Sequence, residues 1–577
     1  MRLANLSERE LTAVLCEHGE FVTERLDHWA SIAGDRVFFY YGEDDVTLTF
    51  AEFADCADSI AGNLARLGIG KGDRVSVFSR NPMVSALAMF GIWKAGAVYC
   101  PVNFAYSGRL LTYQLNDTRP KLVLTDDHLI EALNEVADSL NQVPTLVIYS
   151  APATAHDHRA GPVAPGPMFV THDWEELARD CPAPDISLGF NDPANLIYTS
   201  GTTGPAKGVV QPYRWMANYT LGLRFLLTPD DVIYNDLPMY HVGGAIANIC
   251  RAAWMGCEVA VWDRFSPDKF WSRIAQRRVT TAILLDVMTP WLSKAPPGEG
   301  DRMNTLNKVH MQPLPLHHHD FARRFGIDFV TAGFGQTESG LVLWTLIEET
   351  AEGEGTPAAL YRGVTHEEAR DLAEKYDIVV TPGAEASRKG LMGRPLPFVD
   401  VTIRDERDEE CAPETGGHLA VRPRVPGILF HSYLGKPEAT LTAFQNLWFH
   451  TGDAAMQTVD GMFYFLDRLG DRIRVRGENL SSFQVEDMIN QHPQVRMSAT
   501  VAIPGREGDE DDLVVFVVPL DGEVVAEDDI HDFARRTMPK FMRPAHVRVV
   551  ADLPRTPTNK VEKYKLRQGI LAELAGA

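Results

Sequence analysis

The 577-residue chain predicts an α/β fold: a large N-terminal region of parallel-rich sheets flanked by helices, followed by a small α+β unit. Three observations predict it. Strand-like and helix-like runs alternate through the first part of the chain, as in sheets covered by helices on both faces. The composition, 45% hydrophobic and 23% charged, is that of an ordinary globular protein. After Asp467 the pattern changes to hairpin, helix, two strands and helix, which is enough for a separate unit.

The elements follow in order. Thr49 and Glu52 form a capping box, and Phe53, Ala57, Ile60, Leu64 and Leu67 continue at helical spacing until Gly68. "RVSVF" (Arg74 to Phe78) reads as a strand, Pro82 to Lys94 as a helix, and "AVYCPV" (Ala97 to Val102) as a strand. A helix near Leu110 to Leu115 and the strand "KLVLT" (Lys121 to Thr125) come next. The Ala/Pro/Gly/His stretch Ala151 to Met168 reads as a surface loop. Beyond Asp467 come the hairpin "DRIRVRGENLS", a helix from Ser482 to Gln491, the strands "SATVAI" and "LVVFVV", and a helix from Asp528 to Thr537. The expected division is residues 1–468 and 469–577. The acidic run Gly508 to Asp512 reads as a solvated turn.

Charge and cysteine usage narrow the function. A formal net charge of -23 argues against nucleic acid and anionic membrane as partners, since both are repelled at long range. The N-terminus "MRLANLSERELTAVLCEHGE" reads as neither a signal nor an anchor, and no run reaches the length of a membrane span. Seven cysteines without a Cys-x-x-Cys pair argue against a zinc site or a disulfide scaffold. The expected setting is a reduced cytoplasm.

The chemistry starts at "YTSGTTGPAKGVV" (Tyr198 to Val210). It is not a Walker loop, because Ala206 stands where the second glycine belongs and Gly208 replaces the hydroxyl after Lys207. The backbone N–H groups around Gly201 and Gly204, the hydroxyls of Thr199, Ser200, Thr202 and Thr203, and the Lys207 cation can still wrap a polyphosphate. A flexible surface turn explains the loop alone equally well. Further stretches break that tie: "PMYHVGG" (Pro238 to Gly244), "FGQTE" (Phe334 to Glu338), "WFHTGD" (Trp448 to Asp453), "DRLGDRIRVRGENLSSFQVE" (Asp467 to Glu486) and "LPRTPTNKVEKYKLR" (Leu553 to Arg567). In this order, the set resembles the signatures of the adenylate-forming superfamily of acyl- and aryl-CoA synthetases, luciferases and peptide-synthetase adenylation domains. It is most similar to CoA ligases of the carnitine and medium-chain acyl type. The resemblance runs from Thr49 to Arg567.

The resemblance implies an ATP-dependent, AMP-forming acid–thiol ligase that uses Mg²⁺ and takes CoA as co-substrate. Phe334 offers a face to the adenine, with Gly335 and Gln336 also in the nucleotide site; Thr337 offers a hydroxyl to the α-phosphate and Glu338 a hard oxygen to Mg²⁺. The resemblance gives Asp453 the ribose hydroxyls, which a carboxylate suits as a double acceptor. It places Arg468 beside the ribose and phosphates and His241 beside the acyl pocket. Lys560 contacts substrate carboxylate and phosphate oxygens during adenylation, and the mobile C-terminal unit then rotates to withdraw it for thiol attack. An adenylating enzyme that activates a carboxylate or another oxyanion such as nitrite, and passes it to an amine or a carrier-protein thiol, is the alternative. A homodimer and a carrier protein stay open as partners.

The chain departs from the family pattern in three places. Gly470 stands at the hinge, where a charged residue is usual, and Gln312 to Leu316 read "QPLPL" where the adenine loop is expected. An insertion around Glu348 to Ser387 carries the helix-like run "HEEARDLAEKYDIVV" and begins beside the expected pocket walls, Tyr240 to Asn248 and Thr331 to Trp344. It reads as a lid, an oligomer contact or an elaborated surface loop. The triplet His317 to His319 reads as a polar helix start.

Overall fold

The structure, a computed structural model, describes residues 3–199, 206–285, 288–468, 473–475, 478–480, 482–504, 511–538, 542–555 and 561–575. The expected alternation is present. The Thr49 hydroxyl accepts from the Glu52 amide at 3.2 Å while the Glu52 carboxylate accepts from the Thr49 amide at 2.8 Å. The helix Phe50–Arg66 that starts there buries Phe53, Ala57, Ile60 and Leu64. Strand Arg74–Phe78 and helix Pro82–Lys94 have the expected limits. The latter is buried almost all round, so its apolar residues show no single face.

Two large sheets form the body. The smaller runs in the order 432–433, Lys207–Pro212, Pro193–Thr199, Val98–Pro101, Arg74–Phe78, Leu122–Asp126, Thr145–Tyr149 and Thr171–Asp173. It is parallel except where Lys207–Pro212 joins its two neighbours. The larger sheet is parallel from Val37–Tyr41 through Glu258–Val261, Val232–Asn235, Thr281–Leu284 and Lys308–Met311 to Phe329–Gln336. From there it turns antiparallel through Gly340–Glu348, Leu391–Pro395, Phe463–Arg468, Phe449–Gln457, Gly416–Pro423 and Val399–Arg404. The "FGQTE" and "TGD" stretches sit on this antiparallel half.

Near the C-terminal end, Val495–Pro504 pairs antiparallel with Asp511–Pro519, which pairs parallel with His546–Val549. One face packs on Val485, Ile489 and Ile530, the other on Leu566 and Ile570. The last two belong to a helix, Lys563–Ala575, absent from the expected elements. Its lysines and arginine dominate the sequence there, while two apolar residues four apart suffice to dock it.

The insertion folds onto the body. Helix His366–Lys375 starts at a Thr365–Glu368 capping box, and strand Val380–Pro382 adds to Gly340–Glu348. His366 is buried, with Nδ1 2.6 Å from Glu348 Oε1 and Nε2 3.1 Å from Asp328 Oδ1. The histidine triplet does more than start the helix His318–Phe325. His317 points to solvent as expected, but His318 is buried. His318 Nδ1 and His319 Nδ1 lie 2.5 and 2.6 Å from the two oxygens of Glu349, and His318 Nε2 reaches the Ala386 carbonyl at 2.9 Å. Adjacent helical side chains diverge, yet a carboxylate with two oxygens can bridge them. Both ends of the insertion are tied to this point. No helix among the described residues is long and apolar enough to cross a membrane.

Candidate active site

The glycine-rich loop joins two antiparallel strands, with Thr199 paired to Lys207 at its mouth. Ser200, Gly201, Thr202, Thr203 and Gly204 lie outside the described residues. Both shoulders of the loop are fixed by side chains from a helix of the same region, Gly108–Thr118: the Tyr113 hydroxyl donates to the Ala206 carbonyl at 2.7 Å, and the Tyr198 hydroxyl donates to Asp117 at 2.8 Å.

Beyond the loop, Lys207 meets the second motif through a tyrosine. Its Nζ stands 4.2 Å from the centre of the Tyr433 ring, a cation–π distance. The Tyr433 hydroxyl donates to Glu338 Oε1 at 3.1 Å. The backbone is joined as well: Phe430 N donates to Glu338 O at 2.9 Å, Gln211 Nε2 to Thr337 O at 2.7 Å and Trp215 Nε1 to Glu338 O at 3.3 Å. The turn after Phe329–Gln336 is thereby locked to the strand that leaves the phosphate loop. Burial and Glu338 together hold the Tyr433 hydroxyl far above its ordinary pKa, so it is a donor at any physiological pH.

Gln336 carries the connection to the third motif. Its Nε2 donates to Asp453 Oδ2 at 2.5 Å and to the Thr451 carbonyl at 3.0 Å. Asp453 is buried and stands opposite Arg468 in the next strand; of Arg468 only this strand position is described. The Asp453 amide donates to the Thr451 hydroxyl at 3.1 Å, which sets the turn. A hydrogen bond to a charged acceptor contributes about 1.5–3 kcal/mol, so the Gln336 bond is a substantial clamp. Gly335 makes the hairpin possible: a Cβ there would stand 2.8 Å from Gly340 O.

Phe334 is only 6% exposed and pairs with Leu343 in the hairpin, so little of its ring is open to a ligand. The "QPLPL" segment touches this hairpin through Gln312, whose Nε2 donates to Gly335 O at 3.4 Å. Gln312 Oε1 is 3.2 Å from His310 Nε2, and His310 Nδ1 is 3.0 Å from the Thr331 hydroxyl. Burial pushes the His310 pKa down to about 4, so the ring is neutral and relays these bonds as a donor–acceptor.

His241 stands on the turn between strand Val232–Asn235 and the helix Gly243–Cys250, its Nδ1 accepting from the Gly243 amide at 3.1 Å. Of the two glycines after it, Gly244 has a steric role: a Cβ there would meet Leu237 O at 2.3 Å and Pro238 O at 2.4 Å, so it permits backbone to approach backbone. Lys560 and Gly470 lie outside the described residues.

The structure thus brings Lys207, Thr337, Glu338, Gln336, Gly335 and Asp453 into one bonded assembly. Sequence reasoning missed Tyr433, Gln211, Trp215 and His310. These are single residues between motifs, and only their tertiary contacts reveal them. The half-buried Glu338 carboxylate offers the hard oxygen donors that a divalent ion such as Mg²⁺ takes, and the Lys207 cation beside it suits the phosphates such an ion would accompany.

Two sheets of this topology with a small C-terminal three-stranded sheet constitute the fold of adenylate-forming enzymes. Residues 26–434 match the family model described as AMP-binding enzyme, and residues 484–560 match the AMP-binding enzyme C-terminal domain. The chain belongs to the AMP-binding enzyme family and is an AMP-forming ligase. It is similar to the crotonobetaine/carnitine–CoA ligase of Salmonella heidelberg (strain SL476), with 26% identity over 562 residues, covering 95% of this chain and 99% of the relative. Among solved structures, the anthranilate CoA ligase AuaEII in complex with anthranoyl-AMP superposes with a TM-score of 0.77 at 19% identity, covering 96% of this chain and 98% of that one. The O-succinylbenzoate Coenzyme A synthetase of Bacillus subtilis in complex with ATP and magnesium ion gives 0.72 at 22%, covering 94% and 98%. These two share the fold.

Proposed function

We propose that the protein is an ATP-dependent acid–CoA ligase. The observation that carries this reading is the bonded assembly of Lys207, Tyr433, Glu338, Gln336 and Asp453, which joins three sequence-remote motifs. Lys207 and the loop from Thr199 to Gly204 hold the phosphates, with Thr337 near the α-phosphate. Asp453, fixed by Gln336, takes the ribose, with Arg468 beside it. Glu338 would hold Mg²⁺, which supplies charge neutralisation for the polyphosphate. His241 borders the acyl pocket.

In the first half-reaction a carboxylate oxygen attacks the α-phosphorus. An O–P bond forms, the α–β phosphoanhydride bond breaks, and pyrophosphate leaves with the electron pair. Lys560 stabilises the charge gathering on the oxygens. In the second, the CoA thiol gives its proton to water and attacks the acyl carbon; a C–S bond forms, the C–O bond to phosphate breaks, and AMP leaves with that electron pair. Residues 469–577 act as a mobile domain that exchanges Lys560 for the hairpin around Arg474 to Leu480 between the two steps.

The test is pyrophosphate release from ATP and Mg²⁺ with a panel of aliphatic, aryl and amino carboxylates plus nitrite, with and without CoA, and products weighed by mass spectrometry. Acid-dependent release that turns over with CoA and yields an acyl-CoA mass is expected. Release indifferent to CoA and completed by an amine or a carrier thiol would overturn the ligase reading.

A further inference from the structure

Behind the hairpins lies a helical layer whose polar content a pocket for a plain hydrocarbon acid would not need. It consists of the helix Tyr213–Arg224, the segment Gly243–Cys250, wound i→i+5 as a π-helix, and the short helix Arg251–Met255 that continues it. The π-helix includes most of one expected pocket wall. π-turns cost hydrogen-bond geometry and occur mostly where function needs the altered side-chain register. Its end delivers Arg251 into the interior, where the side chain is 2% exposed.

Arg251 is held but not neutralised. Its Nη2 donates to Asn248 Oδ1 at 2.9 Å, and Asn248 Nδ2 donates in turn to Asn235 Oδ1 at 2.9 Å. Its Nε has no hydrogen-bond partner among the described residues. The carboxylate whose charge reaches it is already occupied: Asp231 Oδ1 accepts from Lys308 Nζ at 2.7 Å and from the Thr280 hydroxyl at 2.6 Å. Burial pulls the Arg251 pKa down to about 10, so the cation persists at neutral pH. An arginine buried without a counter-charge costs several kcal/mol unless something else compensates it.

The surroundings point from Arg251 toward the site. Tyr219 lies within its electrostatic reach and stacks on Trp215 at 4.7 Å, and Trp215 bonds the Glu338 carbonyl. His310, which leads through Gln312 to Gly335, feels the same charge. A second buried guanidinium, Arg224, packs 4.6 Å from the Trp254 ring in the same layer, with Nε and Nη1 unpartnered.

Resting on the ligase reading, we propose that the substrate is a compact dicarboxylate. One carboxylate is adenylated beside Thr337 and Glu338, and the other is bound by Arg251 at the inner end of the acyl pocket. A planar guanidinium with a free Nε edge matches a carboxylate in fork geometry. A trimethylammonium group, as in carnitine, would meet two buried cations there. The acid taken by the curated relatives is therefore not the one this pocket suits.

The experiment is pyrophosphate release by the full chain with matched acids: succinate, glutarate and phthalate against butyrate, valerate and benzoate, with L-carnitine as the cationic member. The expected result is a kcat/KM at least ~100-fold higher for the best dicarboxylate than for its matched monocarboxylate. Arg251→Met should cut that ratio to below ~10, and Arg251→Lys, which keeps charge but not the fork, should leave it between the two. Comparable melting temperatures would show that the variants fold; if Arg251→Met does not, the wild-type ranking and Arg251→Lys still decide. A wild-type preference for monocarboxylates or carnitine, or a ratio unmoved in a folded Arg251→Met, overturns the dicarboxylate while leaving the ligase standing. No release with any acid overturns both.

Discussion

Around Glu338 the polar side chains come with protein partners: Tyr433 to Glu338, Gln336 to Asp453, Gln211 and Trp215 to the backbone of the turn. Around Arg251 the open atoms carry charge. Arg251 Nε and Arg224 Nε and Nη1 are buried without a hydrogen-bond partner among the described residues, whereas the open atoms of the frame, Gln211 Oε1 and Gln336 Oε1, belong to neutral amides whose Nε2 is bonded. A buried guanidinium left partly unpaired costs more than an amide oxygen, so the arginine layer is where a ligand gains most by completing the bonding. The contrast separates two tasks. On the proposed reading, the nucleotide common to the family meets a preassembled frame, while the acid particular to this chain meets groups left open for it.

The largest expected effect falls on the adenylation step. Lys560→Ala should slow adenylation by at least ~100-fold, as for loss of one preorganised charge contact. A supplied acyl-adenylate should still react with CoA at a comparable rate. Equal loss in both half-reactions would end the idea that this lysine serves only the first. Next comes the clamp: Gln336→Ala removes a hydrogen bond to a charged acceptor, about 1.5–3 kcal/mol, and should raise the KM for ATP by roughly 10- to 100-fold. Its kcat should fall less. If KM for the acid rises instead, Gln336 belongs to the acyl side and the division drawn above is misplaced. A smaller change is expected of Tyr433→Phe, which keeps the ring under Lys207 and removes the donor to Glu338. A loss of about 1 kcal/mol predicts a roughly fivefold weaker response to Mg²⁺. Titrating activity against Mg²⁺ at saturating acid would detect it, and an unchanged curve would detach Tyr433 from the metal-holding role proposed for Glu338.

Legibility from the sequence follows the same line. The frame is built on turns and strand ends, where short runs such as "FGQTE" must keep their order to hold a hairpin, so they can be read as words. The helix Phe50–Arg66 was equally readable because its cap and apolar stripe are local. Arg251 gave no such signal. Its meaning depends on which charges fail to meet it in three dimensions, and an arginine seven residues beyond Gly244 looks like any helical surface cation. The insertion lies between these cases. Its helix was visible in "HEEARDLAEKYDIVV", but its attachment was not, because His318 meets Glu349 and Ala386 only after the chain has turned back on itself.

That attachment gives the smallest effect. Burial alone would lower the pKa of both His318 and His366, yet the facing carboxylates outweigh it, and both are raised. His318 faces Glu349, with Asp320 near on its own helix; His366 faces Asp328 and Glu348, the latter also bonded by Arg370. A histidine whose folded pKa is raised stabilises the fold fully below its unfolded value, near 6.5, and loses that contribution as pH climbs through the folded value. Wild type should therefore melt above the double variant His318→Gln, His366→Gln at pH 6, and the gap should narrow by about a degree or two by pH 9. A chain of this size dilutes local energies into small shifts, so differential scanning on both proteins across the range is needed. A gap that stays constant would mean that the two histidines hold the insertion as neutral hydrogen-bonding groups, with no contribution from their charge.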